Sequence, residues 1–243
     1  MGKRMGIHAV AIAIVCVLMI EFVMADDNNR VFSPCSDTLV QKKDGFTFGL
    51  AFATRESFFS NNVELSPCDK RLALSSKSSQ AAVFRPKVDQ ISLLTINTTS
   101  GSFSPEQYGY MVAFAGHKYA ARSIPRFVAD SNIIITSFTL ALEFNKGRLQ
   151  NLYWKSDNCD SCSGNSSLVC YKNQACAIRL STCKSKGGSV DCSLGIQVAF
   201  SGTDKHDAVL NSWYEVSNLR QYSLYGLYSN LKGSLTSQFS SFF

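Results

Sequence analysis

Chemistry in this sequence centres on one short string, Thr203-Asp204-Lys205-His206-Asp207. It sets an imidazole beside two carboxylates. His206 as general base, with Asp204 or Asp207 orienting it, is a constellation that hydrolysis can use. The competing reading is a solvated polar loop, because no serine stands poised next to it. His117, in Gly116-His117-Lys118, also lies just past a strand-like stretch. If the two strands are neighbours, both histidines fall at one end of the fold. A glycosidase needs only two carboxylates at suitable separation. Glu56, Glu106, Glu143 and Glu215 are the donors to consider, and Glu143 comes first. Its alternation with Leu140 and Leu142 fits an outward-facing strand position equally well. The chain has no Gly-x-Ser-x-Gly elbow, no His-Glu-x-x-His and no phosphate-cradling Gly-x-x-x-x-Gly-Lys-Ser/Thr loop. Lipase-like, zinc-protease and nucleotide-hydrolase readings therefore lack their key residues.

The nine cysteines carry a different chemistry. Residues 1–25 read as a secretory signal peptide. Lys3 and Arg4 supply the positive start, Ala9 to Ile20 the apolar run, and Val23 and Ala25 the small residues before a cleavage point at Asp26. Glu21 interrupts the apolar run well short of the roughly 20 residues a membrane anchor needs. Residues 26–243 are therefore expected outside the cell, with no transmembrane anchor after cleavage. Cys16 leaves with the leader. Cys35, Cys68, Cys159, Cys162, Cys170, Cys176, Cys183 and Cys192 remain. An even count in an oxidising compartment implies bridges, although eight cysteines allow 105 pairings. Six lie within 159–192 and are expected to pair among themselves, which leaves Cys35 for Cys68. Zinc is the alternative for Cys159-x-x-Cys162, but no second such pair and no nearby His follow. A thioredoxin-like redox role would want a strand-to-helix turn, and Ser163-Gly164-Asn165 follow instead. No metal and no cofactor are expected.

Charge and aromatic patterning bear on partners. The 243 residues are 45% hydrophobic and 17% charged, with a net charge of +6. That composition supports a packed core and excludes general disorder. The mild basic excess does not fit a dedicated nucleic-acid binder, so no nucleic-acid partner is expected. The excess is uneven: residues 85–155 hold eight basic residues against four acidic ones. Lys118, Arg122, Arg126, Lys146 and Arg148 are the candidates to face an extracellular polyanion such as pectin. Tyr222, Tyr225 and Tyr228, three residues apart, are candidates for a sugar-stacking surface, with packing against a sheet as the plainer role. Asn97-Thr98-Thr99 and Asn165-Ser166-Ser167 are N-glycosylation sequons, which makes Asn97 and Asn165 candidate acceptors.

The elements that would position these residues are mostly strands. Phe46 to Thr54 alternates, with Phe46, Phe48, Leu50 and Phe52 on one face, as a half-buried strand does. Ser57 to Ser79 reads as loop, with a short strand near Leu72–Leu74. Strands are expected at 82–84, 91–96, 110–115, 177–180 and 194–201. Phe127 and Val128 are uncertain after Pro125. Ile133 to Phe144, Asn145-Lys146-Gly147 and Arg148 to Trp154 form a β-hairpin pattern. Leu50-Ala-Phe-Ala-Thr, Val112-Ala-Phe-Ala-Gly and Val198-Ala-Phe-Ser-Gly share a local pattern, which similar core strands explain better than a duplication. Leu224, Leu227, Leu231, Leu235 and Phe239 form a helical stripe over 217–239. The expected fold is mainly β: a single antiparallel sandwich or jelly-roll-like domain, residues 26–243, with a disulfide-rich insertion at 157–192 and a C-terminal helix.

Ser36-Asp-Thr-Leu-Val-Gln-Lys-Lys-Asp-Gly-Phe-Thr-Phe-Gly-Leu-Ala-Phe, Phe84-Arg-Pro-Lys-Val-Asp and Leu219-Arg-Gln-Tyr-Ser-Leu-Tyr-Gly-Leu-Tyr-Ser-Asn-Leu, with the Cys159–Cys192 cluster, resemble a plant family of secreted cysteine-containing proteins. That resemblance implies export to the apoplast or cell wall. It implies no reaction and no site. The functional expectation is a non-enzymatic binding module for cell-wall polysaccharide or another apoplastic ligand. The alternatives are a secreted carboxylate-dependent glycan hydrolase and a module that binds or inhibits an extracellular protein.

Overall fold

A computed structural model describes residues 27–214, apart from 73, 75–77, 99–102, 119–121, 157–158, 160–161 and 163–167. The leader 1–25, the stripe 217–239, Tyr222, Tyr225, Tyr228, Glu215 and Asn165 lie outside the described residues.

Two sheets share one core. The first is built from β1 (Phe48–Ala53), β4 (Gln80–Phe84), β6 (Tyr110–Phe114) and β7 (Arg126–Phe127), in the order β4-β1-β6-β7. The second holds β5 (Ser92–Ile96), β9 (Ser137–Asn145), β10 (Arg148–Trp154), β13 (Leu194–Thr203) and β14 (Val209–Leu210). Its order is β10-β9-β13-β14, with β5 pairing the start of β13. Phe48, Leu50 and Phe52 from one sheet meet Leu140, Leu142, Phe144, Ile196, Val198 and Phe200 from the other. Burying one such side chain contributes about 1.5–3 kcal/mol, so this face dominates the stability. Ser123 links the layers: its buried hydroxyl accepts from Trp154 Nε1 on β10 at 2.9 Å and from the backbone N–H of Ala113 on β6 at 3.0 Å.

The fold is mainly β, as expected, and three details differ from the sequence reading. Among the described strands the pairings are antiparallel except one: β13 runs parallel to β9 over Gly195–Gly202. Next, β1 is buried on both faces rather than one. Ala51, Ala53, Val112 and Phe114 pack on the far side against Phe58, Leu65 and Leu72. The segment carrying those three residues is not simple loop. It forms a short hairpin, β2 (Phe59–Ser60) and β3 (Val63–Glu64), and then a 3-10 turn at Lys70–Leu72 where a strand was expected. Finally, the shared Ala-Phe pattern is not structurally equivalent. Phe52 and Phe200 enter the main core, whereas Phe114 enters the second cluster.

A third sheet, β11-β12-β8, joins β11 (Leu168–Tyr171) and β12 (Ala175–Arg179) to β8 (Ile133–Ile134). The four bridges are Cys35–Cys68, Cys159–Cys170, Cys162–Cys176 and Cys183–Cys192. The six clustered cysteines pair among themselves and Cys35 takes Cys68. No helix among the described residues is long and apolar enough to cross a membrane.

Candidate functional site

The connections at one end of the sandwich are joined by backbone hydrogen bonds. Gly147, in the β9–β10 turn, donates to Thr203 O at the end of β13 and accepts from Val40 N–H. Lys205 N–H donates back to Val40 O at 2.9 Å. Gly116, just past β6, donates to Pro34 O at 2.7 Å. Segments 34–44, 115–118, 145–148 and 203–208 thus close over each other. The tight approach depends on Gly202, at φ +91°, where a Cβ would overlap the Phe144 carbonyl oxygen.

Most of the aspartates here accept from backbone amides. Asp204 is 2% exposed. Its Oδ1 accepts from His206 N–H at 2.8 Å and Ala208 N–H at 2.9 Å, and its Oδ2 accepts from Lys42 N–H at 2.9 Å. Burial alone would raise its carboxyl, but those three donors and the nearby His206 hold it below the ordinary aspartate range. Asp37 Oδ1 accepts from His117 N–H at 2.7 Å and Lys118 N–H at 3.1 Å, and its carboxyl is likewise held low against the burial effect. Asp44, also buried, takes the amides of Asn28 and Gln41. Asp89 takes those of Asn211 and Ser212 and pairs with Lys42 at 2.8 Å.

The exposed charge at this end is mainly positive, with Asp37 and Asp207 as its exposed carboxylates. Lys118, Lys146 and Arg148 are exposed and Lys205 is half-buried. Among the described residues, no carboxylate lies within ion-pair distance of these four side chains, although the Asp37 carboxylate feels the Lys118 charge. Lys42 and Lys43 are exposed beside them, with the Lys42 ammonium paired to Asp89. A shallow cleft between Asp37, Thr38, Gly116 and Arg148 opens among them. The arrangement can attract and hold an extended polyanion.

The structure separates the other candidates from this end. Arg122 is held at 2.7 Å by Glu64, whose carboxyl burial raises against the pull of Arg122 and Arg55. Arg126 sits on β7 opposite Met111, with its Nε buried. Both therefore leave the basic group that the 85–155 window suggested. Arg85 is also engaged, with Asp27 at 2.7 Å and the Phe32 ring beneath its guanidinium. In their place come Lys43 and Lys205, beside a Lys42 that is itself paired with Asp89. Their sequence signal was the Lys-Lys-Asp-Gly turn and the string around His206, which read as a turn and as a catalytic loop.

Among the described residues the candidate carboxylates do not gather into a reactive site. Asp204 is a structural acceptor, and Asp207 is exposed in a left-handed turn at φ 61°. His206 is exposed, with its Nε2 3.3 Å from Gln41 Oε1. His117 and His206 lie at the same end of the fold, carried by facing sheets rather than neighbouring strands. Glu143 is exposed on β9, in register with Asn151 and Ser201. Glu56 is exposed in a 3-10 turn, and Glu106 pairs with Lys186 at 2.8 Å. No cluster among the described residues could hold a metal ion. Asn97 is exposed directly after β5.

Fold and site together define a mainly β, disulfide-braced protein with a cationic loop end. Residues 5–133 and 125–240 match the model of the family described as "Uncharacterised protein DDB_G0273449", and the chain belongs to that family. No curated protein and no solved structure matches it.

Proposed function

We propose that the protein is a secreted, non-enzymatic binding module for acidic extracellular polysaccharide, with the loop end as its contact face. One observation carries this reading. Asp44 and Asp204 are buried on backbone amides and Asp37 caps the amides of His117 and Lys118, while Lys118, Lys146, Arg148 and the half-buried Lys205 have no carboxylate within ion-pair distance among the described residues, leaving this end with a basic excess over the exposed Asp37 and Asp207. A basic end built this way favours a repeating carboxylate over a neutral glucan. Export supports it: the leader-like residues 1–25 and four disulfides suit an oxidising compartment outside the cell. Each exposed ionic contact is weak, about 0–1 kcal/mol, so affinity must come from several contacts along a chain. The hydrolase alternative draws no support from the placement of His206, Asp204, Asp207 and Glu143. Retention on immobilised pectin tests the proposal. De-esterified pectin should hold the protein and fully methyl-esterified pectin should not. Equal retention on both would refute charge recognition.

A further inference from the structure

β5 is an edge strand without the usual guards. It pairs with β13 alone, in a register that runs from Ile96 opposite Leu194 to Ser92 opposite Val198. Among the described residues, no backbone hydrogen bond from outside the sheet reaches residues 92–96. Leu94 and Ile96 pack on the core, while Leu93 and Thr95 are exposed on the other face, and Asn97 continues that exposed alternation. Leu93 is 59% exposed. The string Ile91-Ser-Leu-Leu-Thr-Ile-Asn-Thr98 holds no charge and no proline. An open apolar edge of this kind is a template for pairing with another chain, and charges or proline normally blunt it. Two other edge strands have such guards: β10 starts at Arg148 and is followed by Lys155, and β4 runs into Arg85-Pro86.

We infer that Asn97 carries an N-linked oligosaccharide, which supplies the cover that β5 lacks. Asn97-Thr98-Thr99 is an acceptor sequon, and the structure exposes Asn97 in line with Leu93 and Thr95. Leu93 is four residues back, roughly 13 Å along the strand, within the span of a branched oligosaccharide. The step joins Asn97 Nδ2 to the anomeric carbon of an oligosaccharide carried on a lipid diphosphate. The bond from that carbon to the diphosphate oxygen breaks, the leaving diphosphate keeps the electron pair, and one amide proton is released. The sugar sits far from the basic loop end. Asn97 follows the residue paired with Leu194, and β13 runs from there to Thr203, roughly 30 Å away. Lys118, Lys146 and Arg148 therefore stay uncovered. The inference rests on the export half of the proposed function and not on polyanion binding.

The test is peptide mass spectrometry on the full chain produced in a eukaryotic cell. N-glycans are removed enzymatically in heavy-oxygen water, which leaves each formerly glycosylated Asn as a labelled Asp. The peptide holding Asn97 should carry the label in most molecules, and mapping by peptide keeps it apart from the Asn165 sequon. Light scattering then reads the cover. Thr99→Ala removes the sequon and keeps Asn97, and it should self-associate at a concentration at least about tenfold lower than the parent, because Leu93 is then open to a second chain. Thr99→Ser keeps the sequon and should match the parent. Leu93→Lys added to Thr99→Ala should restore the parent's solubility. Enzymatic removal of the sugar from the folded parent should lower solubility as Thr99→Ala does, which separates lost cover from misfolding of a variant. An unlabelled Asn97 peptide in secreted protein would overturn this inference alone. An unglycosylated chain kept in the cytosol would overturn it together with the export reading. Unchanged solubility after the sugar is lost would overturn its role as cover for β5.

Discussion

Replacing Asp204 by alanine tests whether this carboxylate is a structural clamp. It removes the acceptor for three backbone amides, those of His206, Ala208 and Lys42, at 2.8–2.9 Å. A hydrogen bond to an ionised acceptor contributes about 1.5–3 kcal/mol, and losses within one network are not fully additive. Taking the low end for each gives a destabilisation of about 4 kcal/mol. For a chain of this size, 1 kcal/mol moves the melting temperature by about 2–4 °C, so Asp204→Ala should lower it by about 8–16 °C. Asp204→Asn keeps one carbonyl acceptor but turns an amide group toward one of the donors, so it should lose about half as much. Thermal unfolding by circular dichroism at neutral pH, with disulfides intact, reads both. A shift of under about 2 °C for Asp204→Ala would refute the reasoning, because three orphaned amides cannot be that cheap.

Further outcomes follow from the same geometry. Asp27, Asp37, Asp191 and Asp204 all titrate below the ordinary aspartate range. The unfolded chain therefore binds more protons in acid, so their stabilisation is intact above about pH 4 and is lost as pH falls through the lowered native values. Urea midpoints should drop steeply below pH 4, and less steeply in Asp204→Asn. Gly202→Ala adds a Cβ at φ +91° against the Phe144 carbonyl oxygen, and urea unfolding should show a loss of at least about 3 kcal/mol. The Cys35–Cys68 bridge closes a separation of 33 residues, so the paired Ser variant should lose about 3–4 kcal/mol on the chain-entropy account. Calorimetry with the other three bridges intact checks that figure, and a loss below about 1 kcal/mol would count against a role for the bridge in holding the 55–74 cover.

Much of the fold is local and could be read in advance. The Asn145-Lys146-Gly147 turn between apolar runs does form the β9–β10 hairpin, with Arg148 opposite Asn145. Compartment and clustering assign Cys35 to Cys68, whereas the connectivity inside 159–192 depends on the β11–β12 hairpin, where Cys170 faces Cys176 in register yet bonds to Cys159. The double burial of β1 could not be read, because Ala51 and Ala53 are covered by side chains from a Ser- and Asn-rich stretch that resembles loop. The parallel β9–β13 pair joins strands about 57 residues apart, with nothing in either string to specify the neighbour. The basic end was legible only in part. Lys118, Lys146 and Arg148 fall in the basic window, but the 40–43 turn and Lys205 reach them through hydrogen bonds that span more than a hundred residues of chain, Val40 to Gly147, Lys205 to Val40 and Lys42 to Asp204. Arg122 and Arg126 share the window and not the place, because periodicity reports which face a residue takes and not which partner consumes its charge.

The most direct measurement is the salt dependence of binding to polygalacturonate by isothermal titration calorimetry, for the parent and for a variant with Lys118, Lys146, Arg148 and Lys205 all changed to alanine. Screening lengths fall to about 10 Å at 0.1 M salt, so binding should weaken progressively as salt rises. The account predicts saturable binding by the parent at low salt, a variant at least about tenfold weaker, and an unchanged melting temperature for the variant. No binding by the parent, or equal affinity in the two proteins, would contradict it.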